Sequence, residues 1–344
     1  MPGDRPLHTM DTRKLPRADL RLTTLGLGCS QMGGLYKPTS DREVEDVFAC
    51  AWAAGIRYFD TAPYYGYTRS EHRLGAQLAS CPRNEYVVST KVGRLLRPDA
   101  TVAPGDGGWA NPYPFRPTYD YSYGGIMRSF EDSQQRLGLA HIDILYVHDI
   151  GRDTHGDQHD HYWRQLTTGG GLRALDELRS SGATRAVGLG VNEWQVVQDV
   201  MQEFDLDCTM LAGRYTLLEQ ESLSPFLDTC LQRGNAIVAA GVFNSGVLAG
   251  NNKFNYGEAP AAVVERVMAL RSVCEAFNTS LQAAALQFPL AHPAVVSCVV
   301  GARTATQLEQ NLAWLQEPVP EDLWLHLRAR GLLHPDAPVP GSSA

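Results

Sequence analysis

Three polar side chains each follow a short apolar run rich in β-branched and aromatic residues. Asp60 ends the run at residues 56–60, Lys91 follows residues 86–90, and His148 follows residues 142–147. Such runs are typical of buried strands. A carboxylate at the tip of an apolar strand is unfavourable unless a cation pairs with it, so Lys91 is the predicted partner of Asp60. Because all three stand at the same end of their strands, we expect them to lie close together.

A phenol lies five residues beyond Asp60, in the loop after that strand. The reference pKa of tyrosine is about 10, which is too high for efficient proton transfer at neutral pH. A neighbouring ammonium group such as that of Lys91 favours the phenolate and lowers this pKa. Tyr65 is therefore the candidate acid–base group, with Tyr64 as the competitor, and His148 is a candidate donor to a substrate oxygen. This set predicts a proton relay without a metal or a nucleophile, to which a nicotinamide would add the hydride chemistry.

The elements that position these residues repeat along the chain. Eight predicted strands alternate with helices, and such units with right-handed crossovers close into a single (β/α)8 TIM barrel, whose functional groups lie at the C-terminal strand ends. The barrel is predicted to span residues 21–330, between flexible tails at residues 1–20 and 331–344. The rival fold, an open doubly wound sheet, requires a GxGxxG fingerprint, and Gln31 stands where its third glycine would be.

Composition excludes several classes of function. The net charge of −8 and the pI near 5.7 argue against nucleic acid or an anionic membrane as a partner. No apolar run reaches the roughly 20 residues of a membrane span, and the polar N-terminus lacks the apolar core of a signal peptide. The seven cysteines have no paired spacing, which fits reduced thiols in a cytosol. We expect a cytoplasmic monomer or small homo-oligomer that acts on a small molecule.

Two long irregular stretches, residues 95–122 and 149–170, are candidates for substrate contacts, because long loops in compact domains are usually functional. Trp109 and Tyr113 could stack on a substrate ring or anchor their own loop. Asp149 and Arg152 could bind hydroxyl groups or be ordinary surface charges. Three histidines at positions 155, 159 and 161 could form a metal cluster of a barrel hydrolase, but they lie in a polar loop without a carboxylate framework.

Four motifs in order resemble the aldo-keto reductase superfamily. They are residues 59–66 with Ser70 and Glu71, residues 89–91, residues 145–148, and residues 300–304 with Gln307, Leu308 and Asn311. The resemblance implies a barrel that binds NAD or NADP across its C-terminal face, with no metal, and a catalytic tetrad of Asp60, Tyr65, Lys91 and His148. The implied cofactor contacts are Cys29, Asn192, Gly241, Phe243, Ser245, Gly246, Arg303, Gln307 and Asn311. Arg303 would hold a 2′-phosphate, or only the adenine face or a nearby carboxylate, so the choice of cofactor stays open.

Three positions depart from the usual family pattern around the nicotinamide. The serine of the strand-five motif is lost within residues 188–192, the glutamine of strand six is Ala212, and the stacking tyrosine after strand seven is Ala240. The chain most resembles the sugar-oxidising branch of the superfamily. We therefore expect oxidation of the anomeric C1 hydroxyl of an aldose, such as L-fucose, L-galactose or D-arabinose, to a lactone. The alternatives are a pyridoxal 4-dehydrogenase or general carbonyl reductase using the same site, and a cofactor-binding regulatory or redox-sensing subunit.

Overall fold

Eight parallel strands close into a barrel in the computed structural model, which describes residues 10–341. Neighbouring strands in the barrel follow chain order, so the predicted (β/α)8 barrel is confirmed. The strands are β1 (Leu25–Gly28), β2 (Tyr58–Asp60), β3 (Val87–Val92), β4 (Ile144–His148), β5 (Ala186–Val191), β6 (Cys208–Ala212), β7 (Ala236–Ala240) and β8 (Val295–Gly301).

Helices follow the strands and cover the outside of the barrel. The first begins with a capping box, in which the Ser40 side chain accepts from the Glu43 amide and Glu43 accepts from the Ser40 amide. The helices are α1 (Asp41–Ala53), α2 (Arg69–Leu78), α3 (Tyr123–Leu137), α4 (Gly171–Ser180), α5 (Trp194–Glu203), α6 (Asp228–Arg233), α7 (Leu281–Gln287) and α8 (Ala305–Gln316). Further helices are Arg152–His155, His159–Leu166, Ala261–Ala276 and Glu321–Ala329.

The alternation of side chains along a strand decides which polar groups enter the barrel. Tyr58, Val87 and Ile144 pack in the barrel interior, in a core separate from the one between strands and helices. Residues an even number of positions further along the same strands face the same interior. That set contains Asp60, Lys91 and His148, at the C-terminal ends of β2, β3 and β4. The strand sequences therefore deliver all three to one end of the barrel.

The two predicted tails are largely structured. Thr12–Lys14 and Arg21–Thr23 pair as an antiparallel hairpin, and its leucines at 15, 20 and 22 are buried against the barrel interior. At the other end Leu332, Leu333 and Ala337 are buried in the outer core. Residues 10–20 and 331–341, which were predicted as parts of flexible tails, thus pack against the barrel, and the remainder of each predicted tail lies outside the described residues.

The two long loops also contain regular structure. Arg94–Pro98 pairs with Phe115–Tyr119 as a hairpin after β3, and the two short helices Arg152–His155 and His159–Leu166 follow β4. Both loops stand over the C-terminal end of the barrel, next to the ends of β3 and β4. Within residues 10–341, no helix combines the length and apolar character needed to cross a bilayer.

Candidate active site

A cavity of about 870 Å³ opens at the C-terminal ends of the strands, and residues from β1 to β8 line it. One end contains the predicted tetrad. Beside the tetrad, small residues on β5, β6 and β7 and residues of the loop after β7 also line the cavity. Three of these small residues, Gly190, Ala212 and Ala240, line the cavity without a side chain beyond Cβ, and we call them the floor.

Asp60 and Lys91 form a buried ion pair with a Nζ–Oδ2 distance of 2.7 Å. Lys91 also donates to the carbonyl of Thr61, and Ser89 donates to the second carboxylate oxygen of Asp60 at 2.7 Å. Burial raises the pKa of Asp60, and Lys91 opposes that rise. Burial by itself lowers the pKa of Lys91, but Asp60 and Tyr65 raise it, and the net direction is upward. The pair is therefore held in its charged form by its own hydrogen bonds.

Tyr65, rather than its competitor Tyr64, lies beside the lysine. The Lys91 ammonium is 4.7 Å from the centroid of the Tyr65 ring. Gly66, at φ +63°, lets the loop after β2 meet the loop after β1 backbone to backbone, because a Cβ on Gly33 would lie 2.7 Å from the Gly66 nitrogen. This contact fixes the phenol in place.

The direction of the Tyr65 shift differs from the sequence expectation. Burial raises the pKa of Tyr65 to about 12, and Lys91 offsets only part of that rise. The expected lowering of the Tyr65 pKa took account of the Lys91 ammonium group but not of burial. The sequence alone does not tell how deeply a loop tyrosine is buried. The phenol is therefore protonated at neutral pH in the absence of a ligand, which suits an acid in reduction and makes the phenolate scarce for oxidation.

His148 is buried, and its ring is neutral at physiological pH. Burial, together with Arg94 and Lys91, holds the pKa of His148 well below its usual value. Its Nε2 lies 3.4 Å from Asp149 Oδ2, and its Nδ1 has no hydrogen-bond partner within the described part of the chain. The Tyr121 hydroxyl fixes the backbone by donating to the His148 carbonyl at 2.7 Å. A neutral imidazole can donate one hydrogen bond to a substrate oxygen without adding charge.

A second ion pair, between the buried Arg94 and the half-buried Asp149, lies next to His148 in the same cavity. The guanidinium is 4.3 Å from the centroid of the Tyr64 ring and 5.2 Å from that of Tyr119. Asp149 was predicted as a substrate contact, whereas Arg94 was missed. Its signal in the sequence is a single charge within the otherwise uncharged run at residues 92–96.

The predicted substrate residues divide between cavity and surface. Trp109 lines the cavity, with its ring 5.4 Å from that of Tyr64 and 5.7 Å from that of Tyr65. Tyr113 instead packs under the Arg69 guanidinium and anchors its own loop. Arg152 is exposed and pairs with Asp160. Neither Tyr113 nor Arg152 lines the cavity, so the structure does not bring these two predicted residues together with the tetrad.

The predicted nicotinamide contacts are partly present. Asn192 lines the cavity beside the floor, and its side chain donates to the Ala212 carbonyl at 3.1 Å. Gly241 lines the cavity as well. Cys29 does not, because its side chain is fully buried in the outer core, and the neighbouring Ser30 and Gln31 line the cavity instead.

The loop after β7 carries the remaining predicted contacts. Phe243 packs against Trp314, at a centroid distance of 5.7 Å, and does not line the cavity. Ser245 and Gly246 both have positive φ, and the Ser245 hydroxyl accepts from the Tyr256 amide at 3.0 Å. Tyr256 was missed by the sequence. It is 61% exposed, lines the cavity, and lies with its hydroxyl 3.4 Å from the Asn192 side chain.

Both terminal nitrogens of the Arg303 guanidinium donate to acceptors in the loop after β1. Its guanidinium donates to the carbonyls of Leu35 and Lys37 at 2.8 and 2.6 Å and to the Thr39 hydroxyl at 2.8 Å. The Gln307 side chain accepts from the Arg303 amide, so the predicted adenosine residues do lie together. Asn311 is buried one turn further along α8. Arg303 thus ties the loop after β1 to the start of α8.

The three loop histidines have partners other than a metal. His155 contacts the Tyr121 hydroxyl at 3.0 Å, His159 contacts the Ile150 carbonyl, and His161 contacts the Gln165 amide. Across residues 10–341 there is no group of three or more metal-ligating side chains arranged to hold an ion.

The family of the protein follows from this fold and site together with a match along the chain. The Aldo/keto reductase family model matches residues 24–329, which is almost the whole barrel. The chain belongs to this family. The resemblance inferred from the four motifs is therefore confirmed. Members of the aldo/keto reductase family combine a barrel with a nicotinamide cofactor.

Two relatives cover nearly the full chain. Pyridoxal 4-dehydrogenase from Microbacterium luteolum is 49% identical over 340 residues, covering 95% of this chain and 99% of that protein. D-threo-aldose 1-dehydrogenase from Pseudomonas sp is 40% identical over 325 residues, covering 92% and 96%. Among solved structures, the aldo-keto reductase AKR11C1 from Bacillus halodurans in its holo form has a TM-score of 0.72 at 22% identity, covering 97% and 99%, which supports the fold alone.

The cavity of this aldo/keto reductase suits an extended dinucleotide. The floor leaves a flat surface beside Lys91, since even a Cβ on Gly190 would lie 3.3 Å from the lysine Cε. The cavity lining continues from the floor to Gly241 and Gly301 at the ends of β7 and β8. A nicotinamide on the floor would adjoin the tetrad, with Asn192 and Tyr256 at its side.

Proposed function

We propose that this protein oxidises a cyclic hemiacetal to a lactone with NAD, and that pyridoxal is its substrate. The observation that carries this proposal is the 49% identity with a pyridoxal 4-dehydrogenase along 99% of that protein. An aldose is the second candidate substrate, favoured by the 40% identity with a D-threo-aldose 1-dehydrogenase. The sequence alone favoured the aldose, and the higher identity reverses that order.

Both candidates present the same reacting group. Pyridoxal closes on itself through its hydroxymethyl group, as an aldose closes through a chain hydroxyl, and each then has a hydroxyl on a carbon bonded to a ring oxygen. Loss of a proton from that hydroxyl and of a hydride from that carbon leaves a lactone carbonyl. One site can therefore serve either substrate, and the pocket walls decide between them.

The residues of the site divide this reaction between them. When bound, the nicotinamide supplies the hydride acceptor. Tyr65 as the phenolate takes the hydroxyl proton, and Lys91 lowers the cost of that phenolate. Asp60 keeps Lys91 charged and in place. His148, neutral and buried, donates to the substrate oxygen that becomes the carbonyl.

The walls of the cavity favour a flat ring. Tyr64, Trp109 and Tyr119 line the substrate end, and the first two rings meet edge to face. A pyridine ring gains from stacking on such rings beyond the area it buries. A sugar ring can use the same surfaces, but it also needs partners for several hydroxyl groups.

The partners of Arg303 favour NAD over NADP. A 2′-phosphate is usually bound by a free arginine fork, and the Arg303 guanidinium already donates to the loop after β1. A phosphate bound by both terminal nitrogens of Arg303 would compete with these hydrogen bonds. We therefore expect NAD to bind at least about tenfold more tightly than NADP, measured by fluorescence titration of each reduced cofactor, and comparable affinities would contradict this choice.

The test of the function is nicotinamide reduction on pyridoxal, L-fucose, L-galactose, D-arabinose and D-glucose, each with NAD and with NADP. We expect the highest kcat/KM with pyridoxal and NAD, a lactone as product, and a loss of kcat of about 10²–10⁴-fold in Tyr65→Phe. Higher kcat/KM on an aldose would reverse the order of the two candidates. Tight cofactor binding without turnover on any of them would contradict the proposal and favour the regulatory or redox-sensing role.

A further inference from the structure

Arg94 is the one arginine among the described residues that is more than nine-tenths buried, and few of its donors are used. A guanidinium has five N–H donors. The half-buried Arg83 and Arg303 each donate to at least three acceptors, although Arg83 also has a buried Nε without a partner among the described residues. Arg94 is 6% exposed, yet within residues 10–341 its only hydrogen-bond acceptor is Asp149, and its Nε is buried without a partner.

The carboxylate of the pair is similarly underused. Its Oδ2 meets Arg94 and lies 3.4 Å from His148 Nε2, while its Oδ1 accepts no hydrogen bond from the described residues. Asp149 has a backbone φ of +48° and its amide donates to the Gly190 carbonyl, so the carboxylate is held at the cavity wall. Burying an ion pair with unused hydrogen-bonding capacity is unfavourable unless a ligand completes it.

We infer that Arg94 and Asp149 form a specificity subsite that binds an oxygen substituent of the substrate close to the reacting carbon. This inference rests on the proposed function. His148 is the proposed donor to the reacting oxygen, and the pair contacts His148, so a second oxygen a few ångströms from the first would reach it. In pyridoxal this is the ring 3-oxygen, which accepts from Arg94. In an aldose it is the 2-hydroxyl, which accepts from Arg94 and donates to Asp149.

Both candidate substrate classes have the oxygen substituent that this subsite would bind. Each has an oxygen on a carbon near the reacting one, and a simple aldehyde or alcohol has none. A site built to hydrogen-bond a substrate hydroxyl rejects the analogue lacking it strongly, because its own polar groups are then left unpaired. The subsite would thus restrict this reductase fold to oxygenated hemiacetals.

The experiment compares pyridoxal with 3-deoxypyridoxal, and L-fucose with 2-deoxy-L-fucose, in the wild type, Arg94→Met, Arg94→Lys and Asp149→Asn. We expect the wild type to favour the oxygenated partner by about 10²-fold or more in kcat/KM. Arg94→Met should reduce this ratio to within about threefold of unity, mainly through KM, and Arg94→Lys should restore part of it. Arg97→Met, an exposed neighbour on the same hairpin, should keep the wild-type ratio.

A binding measurement separates failure of this inference from failure of the proposed function. Calorimetry of the lactone products, with and without the 3-hydroxyl, requires no turnover. Tighter binding of the hydroxylated lactone that disappears in Arg94→Met supports the subsite even if another reaction is the true one. An unchanged ratio in Arg94→Met, with both rates falling together, would overturn the inference and leave the pair a structural support of His148. If Arg94→Met does not fold, Asp149→Asn, which removes the charge of the partner carboxylate and should also lower the ratio, provides the comparison.

Discussion

Two ion pairs line the same cavity as His148, and they differ in burial, in position and in how completely they are hydrogen-bonded. Asp60 and Lys91 stand at the ends of strands, and Ser89 and the Thr61 carbonyl complete their hydrogen bonds. Arg94 and Asp149 stand in the loops after β3 and β4, with donors and an acceptor unused. Strands hold reacting groups in fixed positions, whereas loops present groups that a ligand completes. We therefore assign catalysis to the Asp60–Lys91 pair and substrate recognition to the Arg94–Asp149 pair.

Removing the lysine of the strand pair should have the largest effect. In Lys91→Met the Asp60 carboxylate is left buried without its cation, which costs about 3–5 kcal/mol of stability. Tyr65 also loses the charge that favours its phenolate, so kcat for oxidation should fall by about 10²–10⁴-fold. Steady-state kinetics and thermal unfolding measure both effects. The exposed Lys14→Met is the control. A Lys91→Met enzyme with a raised KM and a normal kcat would contradict the catalytic role of the Asp60–Lys91 pair.

Removing a supporting hydrogen bond of the same pair should have an intermediate effect. Ser89 donates to Asp60 and contacts the Tyr58 hydroxyl, both inside the barrel. In Ser89→Ala the carboxylate loses a charge-assisted hydrogen bond, for an expected loss of about 1.5–3 kcal/mol of stability. We expect kcat to fall about three- to tenfold, with KM unchanged. A change in KM alone would indicate that side chains on the barrel strands also contribute to substrate binding.

The smallest effect is expected from a substitution in the loop after β7, where the nicotinamide is proposed to bind. Tyr256 reaches Asn192 beside the floor, where Ala240 stands in place of the usual stacking tyrosine. In Tyr256→Ala the dissociation constant of NADH should rise about three- to tenfold, and kcat should change less than twofold. Fluorescence titration measures the binding. Tyr256→Phe keeps the ring and is the matched control, and equal losses in both variants would assign the effect to the hydroxyl instead.

The same division explains what the sequence could predict. Asp60, Lys91 and His148 each stand at the C-terminal end of a predicted strand, so their position at one end of the barrel could be predicted without knowledge of any loop. The partners of loop residues depend on how distant segments pack, so Arg94 and Tyr256 were missed, and Tyr113 and Arg152 lie away from the cavity.

The burial of residues in the predicted tails was missed for a related reason. Leu15, Leu20 and Leu22 are separated by charged residues and a proline, a pattern that resembles an unstructured segment. Their burial becomes evident only when the barrel interior offers them a surface. Similarly, the burial that raises the pKa of Tyr65 depends on the loops above it.

The most direct test of the account is the pH dependence of kcat/KM in both directions, in the wild type and in Tyr65→Phe. Because burial raises the pKa of Tyr65 to about 12, the phenolate needed for oxidation grows with pH, and the rate should rise continuously from pH 7 to 10. Reduction needs the phenol and should stay nearly flat over the same range. His148 stays neutral throughout, so neither profile should bend near pH 6.5. An oxidation rate that is constant above pH 7, or that keeps its rise in Tyr65→Phe, would contradict the assignment of Tyr65 as the acid–base group.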